Sequence, residues 1–226
     1  MRRTLLALVL ALPIGACGPD APPDSAATAL VPEADVERFR ADVFRETLDI
    51  DAALARLEGE AAATDSVTRA AYDPVLDRLR GQRRQLQIRV DTLRPAPRAA
   101  FDSVRVSVLA QARGLRESIR RGRYAGAPSF AALQDAAARG FADLDARLAA
   151  LRPYAVADTT GRIQRGIDSL AADRERLRAR LRAYPDTSNV QFPPFRGAFT
   201  DRALALDAQL DSVAADTAGV DIGAGR

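Results

Sequence analysis

The feature that most limits what this chain can become is the spacing of its apolar residues. From about residue 33 nearly to the end they recur at steps of three and four, the period of an amphipathic α-helix. Runs of period two, the mark of half-buried strands, are missing apart from Val104-Arg-Val-Ser-Val108, which fits the helical frame better. The spacing predicts an all-α fold: an antiparallel helical bundle or stacked helical hairpins of five to six helices, with short connections making neighbours antiparallel.

The expected helices can be placed one by one. The first, over about 33–61, puts Val36, Val43, Thr47, Ile50, Leu54, Leu57 and Ala61 on one face, with Phe39, Phe44 and Leu48 widening the stripe. The second runs to about Leu93 through Val75, Leu79, Leu86 and Val90. Its Asp73-Pro74 either caps a fresh helix or kinks a longer one that starts near Thr64, and the second reading is preferred. A third over about 97–122 carries Phe101, Val104, Val108, Leu115 and Ile119, and Tyr124 to Pro128 reads as a turn. Ser129 is a good N-cap for a fourth helix, through Phe130, Leu133, Ala137, Phe141, Leu144, Leu148 and Leu151, with Pro153 just past its end. Asp158-Thr159-Thr160 caps a fifth, with Ile163, Ile167, Leu170, Leu177, Leu181 and Tyr184 on one side, interrupted by Arg174. Two prolines and a Ser-Asn pair argue against regular helix over Asp186 to Gly197, leaving a last helix of about 198–214 and a Gly-rich tail, 216–226.

The start of the chain has a different design. Met1-Arg2-Arg3 precedes an apolar run from Leu5 to Leu12, too short for the ~20 residues that a membrane span needs. Ile14-Gly15-Ala16-Cys17 follows. This is the layout of a secretory signal, and with the chain's single cysteine directly after two small residues it resembles the lipobox of bacterial lipoproteins. The resemblance covers the first seventeen residues or so and departs mildly at Ile14, where leucine is commoner. It implies a signal peptide at 1–16, removal of that segment, and acyl chains on Cys17 as a stable membrane anchor. Gly18 after the cysteine, in place of an aspartate that resembles an inner-membrane retention signal, points to the periplasmic face of the outer membrane. Residues 17–31, rich in Pro, Ala, Asp and Ser, read as the lipidated cysteine and a tether, with a helical bundle domain at 32–215 behind it.

Charge and composition then remove several classes of function. The full chain has a net charge of +3, but Arg2 and Arg3 belong to the leader, so the mature protein is nearly neutral and no nucleic-acid partner is expected. Histidine is absent and every base is an arginine, which takes away the usual base near neutral pH and the commonest metal ligand. With Cys17 acylated, no thiol remains for a disulfide or for catalysis. The expectation is therefore no cofactor, no metal and no enzymatic activity. Carboxylates are what is left, and Asp49 with Asp51, or Asp143 with Asp145, deserve weighing as acid pairs; residues two apart on a helix point in different directions, so neither makes a site by itself.

Two candidate interaction segments stand out. Arg113, Arg116, Arg120, Arg121 and Arg123 cluster on the third helix, the first three along one side, as either an anion-contacting stripe or a solvated face paired with acids on a neighbour. Phe192-Pro-Pro-Phe195 either presents an edge to a partner or folds back as a plug over the end of the bundle, the preferred reading. A second arginine run, Arg174 to Arg182, alternates with Asp173 and Glu175 and reads as solvated surface. Finally, the phrase Asp51-Ala-Ala-Leu54 recurs as Asp145-Ala-Arg-Leu148 and Asp207-Ala-Gln-Leu210. Internal duplication and coincidence in so Ala- and Arg-rich a chain both account for it. The function expected is a lipid-anchored, non-enzymatic envelope module that holds an envelope protein or polymer; the alternative is an envelope chaperone or ligand-binding protein with an apolar groove between helices.

Overall fold

The computed structural model describes residues 29–185 and 191–220. The signal segment, Cys17, most of the tether, residues 186–190 and the end of the tail lie outside the described residues. Among the described residues six helices follow one another: α1 (Glu33–Ala62), α2 (Ser66–Asp91), α3 (Arg98–Ala125), α4 (Phe130–Ala157), α5 (Arg162–Ala183) and α6 (Phe192–Ala215), with a short 3-10 turn at Asp216–Gly219. The fold is all-α, and among the described residues there is no strand beyond a single bridge, Leu30 to Pro97. That bridge moves one expected boundary. Val31 is buried and its N–H donates to the Ala96 carbonyl at 2.9 Å, so the residues read as the end of the tether are already part of the body.

Local chemistry explains where the helices begin. The Asp65 carboxylate accepts from the Val67 and Thr68 amides at 2.9 and 3.0 Å and starts α2, which runs through Pro74 unbroken to Asp91. Asp158 does the same for α5, accepting from the Thr160 and Ile163 amides at 2.8 Å each, while Gly161 takes the left-handed φ of 64° that the turn requires. Three expectations are corrected here. Pro153 lies inside α4, on its exposed side. Pro193 and Pro194 do not delay the last helix, because α6 begins at Phe192 and first-turn residues need no intrahelical N–H. Phe44 and Leu48 do not widen the core face of α1 but are 57% and 51% exposed, and Val104 is 38% exposed.

The helices gather around two hydrophobic cores. One is built by α1, α2 and α3, each packed on the other two, and includes Ile50, Leu79, Leu86 and Val108; the other is built by α4, α5 and α6 with Tyr124 from the end of α3. The two cores repeat each other in register. Each buried residue of α1 has a buried counterpart in α4 at 94 positions further on, from Val36 and Phe130 to Ala61 and Ala155. For α2 against α5 the offset is 91: Tyr72, Leu76, Leu79, Leu86 and Val90 answer to Ile163, Ile167, Leu170, Leu177 and Leu181. The same offset carries Phe101, Val108, Ala112, Leu115 and Ile119 of α3 onto Phe192, Phe199, Ala203, Leu206 and Leu210 of α6.

A shared helical period makes matches within one helix easy, but it does not dictate pairwise chemistry between helices. Asp51 on α1 holds Arg83 on α2, and their counterparts Asp145 and Arg174 are paired as well, at 2.6 and 2.9 Å respectively. More telling is a swapped contact. Val75 packs toward Gly122, where an added Cβ would lie 3.1 Å from it; in the second half the glycine is Gly166, the counterpart of Val75, and the valine is Val213, the counterpart of Gly122. Large and small have exchanged helices, and the packed volume is kept. Duplication of a three-helix unit accounts for all of this. The third phrase, at Asp207, falls opposite Arg116 and is a coincidence.

Candidate functional site

The first four arginines of the predicted cluster lie where the two halves meet. Arg113, Arg116, Arg120 and Arg121 on α3 line a groove of about 940 Å³ with Arg147 of α4; the acids Glu117, Asp201 and Asp211, with Ala53, Ile119 and small or apolar residues of α6, form the rest. Equivalent positions face each other across it, since Arg120 donates to Asp211, its own counterpart, at 2.8 Å.

These guanidinium groups are mostly spent on neighbours. Arg116 reaches Glu46 on α1 at 2.5 Å, and Arg121 reaches Asp201 on α6 at 3.0 Å and Glu117 at 3.3 Å. Arg147 bridges Asp207 and Asp211 at 3.2 and 2.5 Å. Arg123 lies apart and binds both oxygens of Glu60, at 3.1 and 3.2 Å. For Arg113 the described residues record only a long bond from Nε to the Leu109 carbonyl, 3.4 Å. Four of the five cations along the groove, all but Arg113, thus meet Glu46, Glu117, Asp201, Asp207 and Asp211, and five carboxylates against five guanidinium groups leave no net charge to draw an anion. Of the two readings, the stripe takes the paired one, and its bonds staple α3 to α1 and to the second half.

The carboxylates respond to this setting. Burial would raise Asp211, but hydrogen bonds from Arg120 and Arg147 outweigh it and hold its pKa below the ordinary value. Asp207 is raised, because its burial exceeds the attraction of the same two arginines. The acid pairs weighed as catalytic candidates do not converge. Asp51 is held by Arg83, Asp143 by Arg56 and Asp145 by Arg174, all across helices. No group of three or more metal-ligating side chains gathers among the described residues, and no described helix is long and apolar enough to cross a membrane.

Phe192 and Phe195 fold inward. Phe192 is buried, Phe195 stacks on Tyr184 with ring centres 4.0 Å apart, and Phe130 meets both Tyr184 and Phe195 at 4.9 and 6.2 Å. Arg196 lies over the Phe192 ring and donates to the Ala127 carbonyl at 2.6 Å. The segment packs as an aromatic plug on the second core, with Phe192 buried and Phe195 half-buried. Sequence spacing missed the opposite case, Phe44 and Leu48, one turn apart and facing solvent on α1. Their counterparts in α4 are Ala138 and Ala142, also exposed. Cys17 lies outside the described residues. Comparison with family models, curated proteins and solved structures found no match.

Proposed function

We propose that the protein is a lipid-anchored, non-enzymatic interaction module of the cell envelope, held by acyl chains on Cys17 at the periplasmic face of the outer membrane and working through its helix faces on an envelope protein or polymer. The observation that supports this reading is the exposed Phe44–Leu48 pair. The same unit, repeated in the same chain, carries alanine at both counterpart positions, so the fold does not need large apolar side chains there. Exposed large apolar neighbours on a helix are the anchors that a helix-face contact uses. The alternative, a ligand-binding groove, draws support from the alanine-lined cleft between α3 and α6, but its rim of paired charges suits an apolar ligand poorly.

A photo-crosslinking residue at Phe44, in the full chain in its own membranes, tests the reading against the same residue at Ala138. Defined adducts from position 44 alone are expected, and Phe44→Asp with Leu48→Asp should abolish envelope association beyond the anchor. Equal labelling from both positions would overturn it. Separately, Cys17→Ser should abolish incorporation of labelled fatty acid; unchanged mass and membrane association would remove the anchor from the proposal.

A further inference from the structure

At one place between its last two helices the first half is bonded across, and the second half is not. Between α2 and α3, Arg89 donates to the Gln111 side chain and to the Ser107 hydroxyl, both at 3.0 Å, so its guanidinium is satisfied by neutral acceptors. At the 91-residue offset these become Arg180, Arg202 and Ala198. Both acceptors are gone, and one has been replaced by a second cation. The resulting cleft between α5 and α6 encloses about 170 Å³; Arg176, Arg180 and Arg202 line it with Asp173, over a floor that includes Leu177 and Leu206. Asp173 pairs with Arg176, whereas no carboxylate among the described residues lies in ion-pair range of Arg180 or Arg202. Three guanidinium groups against one carboxylate leave two positive charges around a small concavity with an apolar floor.

We infer that this cleft is a binding site for a phosphomonoester. Two planar guanidinium forks across a cleft match the oxygens of a phosphoryl group in bidentate geometry, and a net charge of two matches its dianion. The volume is several times the ~30 Å³ share of a water molecule, which admits a phosphoryl group with a short carbon stub. Repulsion between Arg180 and Arg202 is relieved when the anion arrives, so the open cleft is set up for a ligand and not for an internal partner. The inference does not depend on Cys17 or on the Phe44 surface, and it separates the cleft from the groove between the halves, where every nearby acid is already engaged.

The test uses the full chain in neutral detergent micelles at constant ionic strength, titrated with inorganic phosphate and with glycerol 3-phosphate by calorimetry and by 31P line broadening. Saturable one-to-one binding is expected. Arg202→Gln, which recreates the first half's Arg–Gln arrangement, should weaken it at least tenfold without changing the helical spectrum, and Arg180→Gln should do the same. Arg113→Gln, on the groove, should leave it unchanged. A second arm adds phosphatidic acid or phosphatidylcholine to the micelles: Arg202-dependent binding of phosphatidic acid places the phosphoryl group on a lipid, and Arg202-dependent binding of the soluble ester alone places it on a soluble ligand. Wild-type affinity in both the Arg180 and Arg202 variants, or equal displacement by matched chloride, would overturn the site.

Discussion

The two halves share a buried pattern and differ on their surfaces. Core positions of α1–α3 recur as buried positions in α4–α6, some with the same residue, as in Leu54 and Leu148 or Leu115 and Leu206. Outside the cores the first half places Phe44 and Leu48 in solvent, and the second places three arginines around a cleft and an aromatic plug at its end. The difference teaches that burial specifies the three-helix unit, while whatever distinguishes the halves chemically lies in positions the unit can change at little cost to its stability.

The comparison breaks first if the cores are not equivalent. Leu54→Ala and Leu148→Ala should each destabilise by about 2–5 kcal/mol in urea denaturation, because both side chains are buried. Two values that differ by more than the usual spread of such sites would mean that the halves are packed on different terms. A cost below ~0.5 kcal/mol at Leu148 would make α4 peripheral.

The exchanged glycine and valine sharpen it further. A Cβ at Gly166 would come within 2.6 Å of Val213, so Gly166→Val should cost about 1–3 kcal/mol by overpacking. Adding Val213→Gly copies the arrangement of Val75 and Gly122 and should recover most of that loss, apart from about 1 kcal/mol for glycine within a helix. A double variant no more stable than Gly166→Val would refute the swap.

A smaller effect is expected at the repeated ion pair. Asp51→Asn and Asp145→Asn should each cost roughly 0.5–1 kcal/mol, since the carboxylates are 46% and 43% exposed, and both losses should shrink in high salt. Unequal responses to salt would show that only one pair is formed in solution.

The smallest effect concerns the caps of α2 and α5. Hydrogen bonds from the Thr160 side chain and the Ile163 amide hold Asp158 down to about 2, and bonds from Thr68 lower Asp65 in the same direction. A carboxyl whose folded pKa lies below its unfolded value adds stability that is present above the unfolded pKa and lost as pH falls through the folded one. Asp158→Asn should therefore flatten the decline in melting temperature between about pH 4 and pH 2. An unchanged pH profile would remove Asp158 as a source of that decline.

How much of this could be read from the sequence follows from the range of each interaction. Helix faces are local, so the inner residues of α1, α4 and α5 are visible in the spacing alone. Phe44 and Leu48 misled because an apolar residue on the far side of a helix has the same composition signal as one that broadens the core face. The arginine stripe was visible, but its partners at Glu46, Asp201 and Asp211 lie up to 91 residues away, beyond any local pattern. The run at Arg174–Arg182 looked like ordinary solvated surface because Arg202, which completes the cleft, belongs to another helix. The repeat itself was half hidden. From the last shared core position of its first helix to the first of its second, the second half is three residues shorter, Ala155 to Ile163 against Ala61 to Tyr72, so no single offset aligns the whole unit, and only the phrases at Asp51 and Asp145 showed through.

The contact between Arg120 and Asp211 has a consequence for how such a chain can come apart. Two identical three-helix units meeting through this position about a twofold axis would set arginine against arginine, or aspartate against aspartate. Covalent fusion lifts that constraint, because the two copies of the position can then carry opposite charges. If the halves are cut apart, the first should prefer the second over another copy of itself, and the preference should be encoded at the one point where symmetry once forbade a choice.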